Sequence, residues 1–217
     1  MAPDNHANPS REQILARVRK AVTVTAPRRP AVAGGPIFAP VDNLLQRYQL
    51  ECTANLIELI LTPDASASGA ALQQVLASLL PGEIFIQDAP ELRALAQAWP
   101  GGRAMRWSSE GGPNEASQAT ITLCEALVAL TGSIAVSSAC GGRGASIVAP
   151  CHIVLAHAEQ LVPDLEAGLA RLQERGVTRR SSYVGLITGS SRTADIEKML
   201  VIGAHGPRRV VCIMQQT

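Results

Sequence analysis

The sequence predicts an α/β fold in which short strands alternate with helical crossovers, and three observations predict it. Short apolar runs such as Ile84-Phe85-Ile86 and Val210–Met214 are separated by segments with a helical stripe, such as Ala67–Leu80. Proline–glycine stops close the helical segments, Pro81-Gly82 after one and Pro100-Gly101-Gly102 after another. The 217 residues are 47% hydrophobic but only 3% aromatic, so the core must be built from Leu, Ile, Val and Ala.

In chain order, residues 1–9 are polar and Pro-containing, which predicts disorder. Ser10-Arg11-Glu12-Gln13 fits a capping box, and Ile14, Leu15, Val18 and Val22 then share one helical stripe. Residues 25–40 hold Pro27, Pro30, Pro36, Pro40, Gly34 and Gly35 and read as a linker or as a loop wrapped on the surface. The expected organisation is therefore an N-terminal helical arm, 1–40, and one domain, 41–217. Within the domain, Val41–Leu50 reads as a helix, Asn55–Leu61 as a strand and Ala67–Leu80 as a helix burying Leu72, Val75, Leu76 and Leu79. Ile84–Ile86 is a strand, Pro90–Trp99 a helix, Ala104–Trp107 a strand and 108–116 a loop. The second half begins with Ala126–Leu130 and Ser133–Ser137, two apolar runs broken at Thr131-Gly132, which predicts a hairpin. A glycine-rich stretch, Cys140–Ser146, leads to a strand at His152–Ala156. Pro163 opens a helix with Leu165, Leu169 and Leu172, Tyr183–Ile187 reads as a buried strand, Thr193–Leu200 as a helix and Val210–Met214 as the last strand.

Composition excludes several function classes. Nineteen Lys+Arg against eighteen Asp+Glu lack the bias of a nucleic-acid binder, and the few aromatic residues cannot form a stacking platform. No apolar run reaches a membrane-spanning length, and Met1-Ala2-Pro3-Asp4-Asn5 does not resemble a secretory leader, so a cytoplasmic protein with reduced thiols is expected. The cysteines stand at 52, 124, 140, 151 and 212 without any CxxC-type run, so no metal or iron–sulfur site is expected in this chain. HxH, HxxxH, HExxH, P-loop, GxGxxG and GxSxG patterns are all missing.

Three segments could carry chemistry. Gly141-Gly142-Arg143-Gly144 combines close backbone approach with a forked donor for carboxylate or phosphate; its structural alternative is a plain loop between strands. Gly189–Glu197 reads as a strand-turn-helix whose Ser191, Arg192 and Thr193 could hold an anion, or equally cap the helix beside Asp195 and Glu197. Gly203–Arg208 sets His205 beside Gly206 in a tight turn, available to titrate near neutral pH or to bond backbone. Asp164/Glu166 and Glu110/Glu115 read as solvated carboxylates.

Ser191-Arg192-Thr193-Ala194-Asp195-Ile196-Glu197 followed by Gly203-Ala204-His205-Gly206-Pro207 resembles the C-terminal signature of the LutC/YkgG family, whose members carry the LUD domain. Leu130-Thr131-Gly132-Ser133, Gly141–Gly144, Pro150-Cys151-His152-Ile153-Val154 and Leu161–Leu165 also look like family elements, so the resemblance covers about residues 117–217. It implies a fold like the NagB/RpiA/CoA-transferase group. It also implies a role in lactate catabolism, the oxidation of L-lactate to pyruvate, in a complex whose partner subunits carry iron–sulfur clusters. Carried onto this chain, the ligand-binding candidates are Thr131, Gly132, Ser133, Gly141, Gly142, Arg143, Gly144, Ser191, Arg192, Thr193, Asp195, Glu197, His205 and Gly206. Two departures stand out. Leu130 occupies a place that is usually acidic in the family, with Glu125 a strand length upstream, and Cys151 replaces a proline. Three readings follow: a cluster-free subunit of a lactate-oxidising complex that binds a small carboxylate or its partners; a free-standing enzyme acting on a phosphorylated or thioester metabolite; or a non-catalytic interaction subunit. Any ligand is expected where the three glycine-containing turns converge, beyond the carboxyl ends of the strands.

Overall fold

The computed structural model describes residues 9–23, 38–97, 99, 103–194, 200–202 and 206–217. The chain divides into two units, Met1–Ala39 and Pro40–Thr217. In the first, helix α1 spans Pro9–Val22. It starts before Ser10, so Ser10 lies in its first turn rather than at its cap. Ile14, Val18 and Val22 form an exposed apolar stripe. Most of the expected linker lies outside the described residues.

The second unit opens with α2, Leu44–Ala54. Its start falls three residues after Val41 because the Asn43 side chain accepts the Gln46 N–H at 2.9 Å and fixes the cap there. Strand β1 is Ile57–Thr62, and α3, Ala65–Ala77, is capped by Asp64. Next come β2 (Glu83–Ile86), α4 (Pro90–Gln97), β3 (Met105–Trp107), β4 (Ser117–Thr122), β5 (Ala126–Val128) and β6 (Ser133–Ser137). After a 3₁₀ turn at Arg143–Ser146 follow β7 (Cys151–His157), β8 (Leu161–Val162), α5 (Leu165–Glu174) and α6 (Val177–Arg180). The chain ends with β9 (Val184–Ile187), β10 (Arg192–Ala194), β11 (Leu200–Ile202) and β12 (Arg209–Gln215).

Six strands form a parallel sheet in the order β1-β12-β7-β4-β2-β3. A second sheet runs β8-β5-β6-β9, with β6 antiparallel to both neighbours. The period of two along each strand splits the large sheet between two cores. On β12, Val211 and Ile213 face Leu72, Val75 and Leu76 of α3 and Leu92 of α4. Val210, Cys212 and Met214 face Tyr48 and Cys52 of α2 and Leu127, Ile134 and Val136 of the second sheet. The far side of that second sheet packs Ala126, Val128 and Ala135 against Val162 and Ala167. The layers are therefore α3/α4, parallel sheet, α2 with the second sheet, and α5. A fully buried Leu or Ile in such a core contributes roughly 2 kcal/mol.

The expected α/β fold is the one found, but four local expectations change. Strand β4 occupies Ser117–Thr122, where no element was expected. On α5, Gly168 and Leu172 face inward while Leu165 and Leu169 are exposed, because the second sheet meets only a narrow stripe of the helix. Strand β9 is half-buried rather than buried, being the outer strand of its sheet. Where a helix over 193–200 was expected, β10 and β11 pair antiparallel with Thr193 opposite Val201; β-branched residues at both strands favour extended backbone. No helix among the described residues is long and apolar enough to cross a membrane.

Candidate functional site

The carboxyl ends of β2 and β4 converge under the turn that follows β6. Gln87 ties them together: its backbone N–H donates to Ile121 O, its Oε1 accepts from Leu123 N–H at 2.8 Å, and its Nε2 donates to Ala139 O at 3.1 Å. Beyond β4 the chain enters the β5–β6 hairpin, where Glu125 N–H donates to Ala135 O and Glu125 stands next to the end of β6. Glu125 is 7% exposed. Its Oε1 accepts from Ser137 Oγ at 2.7 Å and from the Cys140 thiol at 3.8 Å. Ser137 Oγ in turn accepts the Ala139 N–H, so a single tight turn orients both donors. Gln160 closes the other side: its Nε2 donates to Cys124 O at 2.7 Å and its Oε1 accepts from His157 N–H.

This carboxylate has no ion-pair partner among the described residues. A hydroxyl and a thiol thus converge on one oxygen of this buried carboxylate. The thiols around it are not nucleophiles near neutral pH. Burial pushes Cys124 and Cys140 up, with Glu125 adding to both, and burial holds Cys52 and Cys151 at about 11 and Cys212 at about 12. The five cysteines are buried and unpaired, and no three His, Cys, Asp or Glu gather as metal ligands among the described residues.

Deeper between the sheets, His152 Nε2 and Thr122 Oγ1 share a 2.9 Å hydrogen bond. Burial lowers the His152 pKa to about 4, so the ring is neutral at physiological pH and supplies no counter-charge. On the opposite face of the parallel sheet, a cleft of about 330 Å³ lies between the start of α3 and α4, lined by Ser66, Ser68, Glu91, Leu155 and Gln215. His157 Nε2 meets Glu91 Oε1 at 3.1 Å near its rim.

The sequence-predicted residues fall in two places. Thr131, Ser133 and Thr188 form a hydroxyl chain, with 2.8 Å between the first pair and 2.7 Å between the second. Gly132, at φ +67°, backs onto Glu51, and Asn55 Nδ2 donates to Thr131 O. Gly189 runs against the Asn55 backbone and Ser191 N–H donates to Pro207 O, placing Gly206 beside Ser191. Asn55 precedes β1 and Pro207 precedes β12, so this group sits at the amino ends of the parallel strands, not the expected carboxyl ends.

Gly141, Gly142, Arg143 and Gly144 lie at the other end of β6, about 13 Å away at roughly 3.3 Å per residue. Gly141 packs on the Phe85 ring, and Arg143 donates to Ser182 O at 3.0 Å while lying over the Tyr183 ring. The three turns therefore do not converge, because an intact strand separates them. Arg192 is exposed, and it pairs with Ile202 and Thr193 with Val201 through β10. Asp195, Glu197 and His205 lie outside the described residues. Leu130 donates its N–H to Pro163 O and accepts from Arg47, a role that needs no acid.

Sequence reasoning named Glu125 only as the acidic residue upstream of Leu130 and missed Ser137, Cys140, Gln87 and Gln160. One signal was available: Glu125 is the sole charged residue in the run from Ala119 to Leu130, and charged residues seldom lie in buried runs.

Residues 113–214 match the LUD domain family. The chain is 28% identical over 190 residues to lactate utilization protein C of Bacillus subtilis (strain 168), covering 80% of this chain and 78% of that one. It is 25% identical over 226 residues to the Geobacillus kaustophilus protein of the same name, at 94% and 93% coverage. The Deinococcus radiodurans protein of that name is 25% identical over 216 residues, at 93% of each. A crystal structure of a DUF162 family protein from Deinococcus radiodurans superposes with a TM-score of 0.59 at 18% identity, covering 79% of this chain and 95% of that one, a likeness of fold. The chain thus carries a match to the LUD domain over residues 113–214 and is similar over most of its length to proteins named lactate utilization protein C.

Proposed function

We propose that this chain serves lactate utilization as a cytoplasmic, cluster-free subunit of the system that oxidises L-lactate to pyruvate. One observation carries the reading: relatives named lactate utilization protein C align along 80–94% of the chain. The oxidation releases two electrons and two protons per lactate, and iron–sulfur clusters in partner chains take the electrons in this account. The residues of this chain support that division of labour. Its thiols are buried and protonated, and its buried carboxylate, Glu125, has no cation among the described residues to bind the carboxylate of lactate. Its part is assembly with the partner chains.

Deleting the gene in its source organism tests this. Growth on L-lactate as sole carbon source is expected to stop while growth on pyruvate continues, and the wild-type gene restores it. Unchanged growth on lactate would overturn the reading.

A further inference from the structure

Strand β9 is the outer strand of the second sheet and pairs only with β6 among the described residues. Its register fixes which backbone groups are left unpaired. Ser138 N–H donates to Tyr183 O, which makes Ser138–Tyr183 a hydrogen-bonded pair. Alternation then makes Val136–Gly185 and Ile134–Ile187 hydrogen-bonded and leaves Ser137–Val184 and Ala135–Leu186 non-hydrogen-bonded. A second contact agrees: Ala135 O accepts from Glu125 N–H on the β5 side, so it faces away from β9. The N–H and C=O groups of Val184 and Leu186 therefore point outward from the sheet.

Outer strands usually carry a guard against pairing with another chain: a charge, a proline or a bulge. Val184-Gly185-Leu186-Ile187 has no charge and no proline, its register with β6 is unbroken, and Leu186 is 44% exposed. The flanks are strongly biased in sign. Between Glu174 and Asp195 the sequence holds Arg175, Arg179, Arg180 and Arg192 and no acidic residue. Arg179 and Arg180 are exposed just before the strand and Arg192 just after it. Arg143 joins the first pair through its bond to Ser182 O.

We propose that the outer edge of β9 is a docking strand for an extended, acidic segment of a partner chain. The main-chain groups of Val184 and Leu186 supply the ladder, Leu186 an apolar contact, and the arginines at both ends the preference for Asp and Glu. A second copy of this chain is a poorer occupant. Two copies meeting edge to edge in antiparallel fashion would set Arg179 and Arg180 of one beside Arg192 of the other. The proposal rests on the reading that the chain works within an assembly. Its test uses the isolated full chain, so its failure is distinct from a failure of the growth test.

The test combines amide hydrogen exchange with peptide binding. In the free chain, the Val184 and Leu186 amides are expected to exchange at least 100-fold faster than those of Gly185 and Ile187. An acetylated eight-residue peptide alternating glutamate and valine should bind and slow those two amides at least tenfold. Its lysine–valine counterpart should bind at least tenfold more weakly, and raised salt should weaken the acidic peptide. Leu186→Pro removes an outward N–H while sparing the β6 ladder, and should abolish binding. If that variant fails to fold, Arg179→Glu with Arg180→Glu should still weaken the acidic peptide at least fivefold. Protection of Val184 and Leu186 in the dilute free chain would mean that the chain covers its own edge. Protection rising with protein concentration would mean a second copy. Either result, or equal binding of the two peptides, overturns the proposal.

Discussion

Replacing Gly189 with alanine tests the placement of residues 188–191 against the end of α2. Gly189 has φ +101°, a conformation that costs an L-residue about 1–2 kcal/mol. A Cβ there would also overlap Asn55 O and come within 3.1 Å of Asn55 C, both backbone atoms that cannot swing aside. Overpacking of this kind adds roughly 1–3 kcal/mol, for a total of about 3 kcal/mol. Two controls separate the contributions. Gly176 has φ +67° and its added Cβ meets only Arg180 Nη1 at 3.9 Å, so Gly176→Ala should cost about 1 kcal/mol. Gly112 has nothing within 4 Å and no positive φ, so Gly112→Ala should be near neutral, within about 0.5 kcal/mol. Urea unfolding followed by the fluorescence of Trp99 and Trp107 reads all three. If Gly189→Ala is no worse than Gly176→Ala, the turn does not press on Asn55, and its assignment to the amino ends of the parallel strands fails.

Three further outcomes follow from the packing. His152 binds a proton with a pKa of about 4 when folded against 6.5 as the ordinary value. Below pH 6.5 the unfolded chain therefore binds more protons, and stability should fall by on the order of 3 kcal/mol between pH 6.5 and 4. His152→Gln should flatten that slope in pH-dependent urea titrations, and an unchanged slope would remove His152 as its source. The five buried thiols should react slowly with a disulfide dye in the native chain at pH 7 and fully after denaturation; a fast native thiol would contradict their burial. A chain beginning at Val41 should still melt cooperatively, since the division falls at Ala39/Pro40, and loss of its transition would make α1 part of the core.

The alternation of helices and strands was legible because apolar periodicity and Pro/Gly stops agree through the first half. Helix ends were less so: the boundary of α2 depends on Asn43 closing a cap, which periodicity does not register. Strand β4 was missed because Ser117-Gln118-Ala119-Thr120-Ile121-Thr122 mixes small polar residues along a strand whose two faces are both buried. The segment after Ser191 read as a helix from the Leu200 side of its pattern, yet β10 and β11 pair across it. The glycine turns were recognisable as turns, but which of them share one end of a sheet is decided by strand order, and β6 holds Thr131–Ser133 apart from Gly141–Gly144. The Glu125 cluster draws on Gln87, on Ser137 and Cys140 of one turn, and on Gln160, three separate segments whose convergence no local spacing encodes.

Lactate-dependent electron transfer tests the central claim most directly. Extracts of lactate-grown wild-type, deletion and complemented cells would be given L-lactate and an artificial electron acceptor, and acceptor reduction compared with pyruvate formed. The account predicts that the deletion extract loses the activity and that adding back the purified chain restores it, two electrons transferred per pyruvate. Equal lactate-dependent reduction with and without the chain would contradict it.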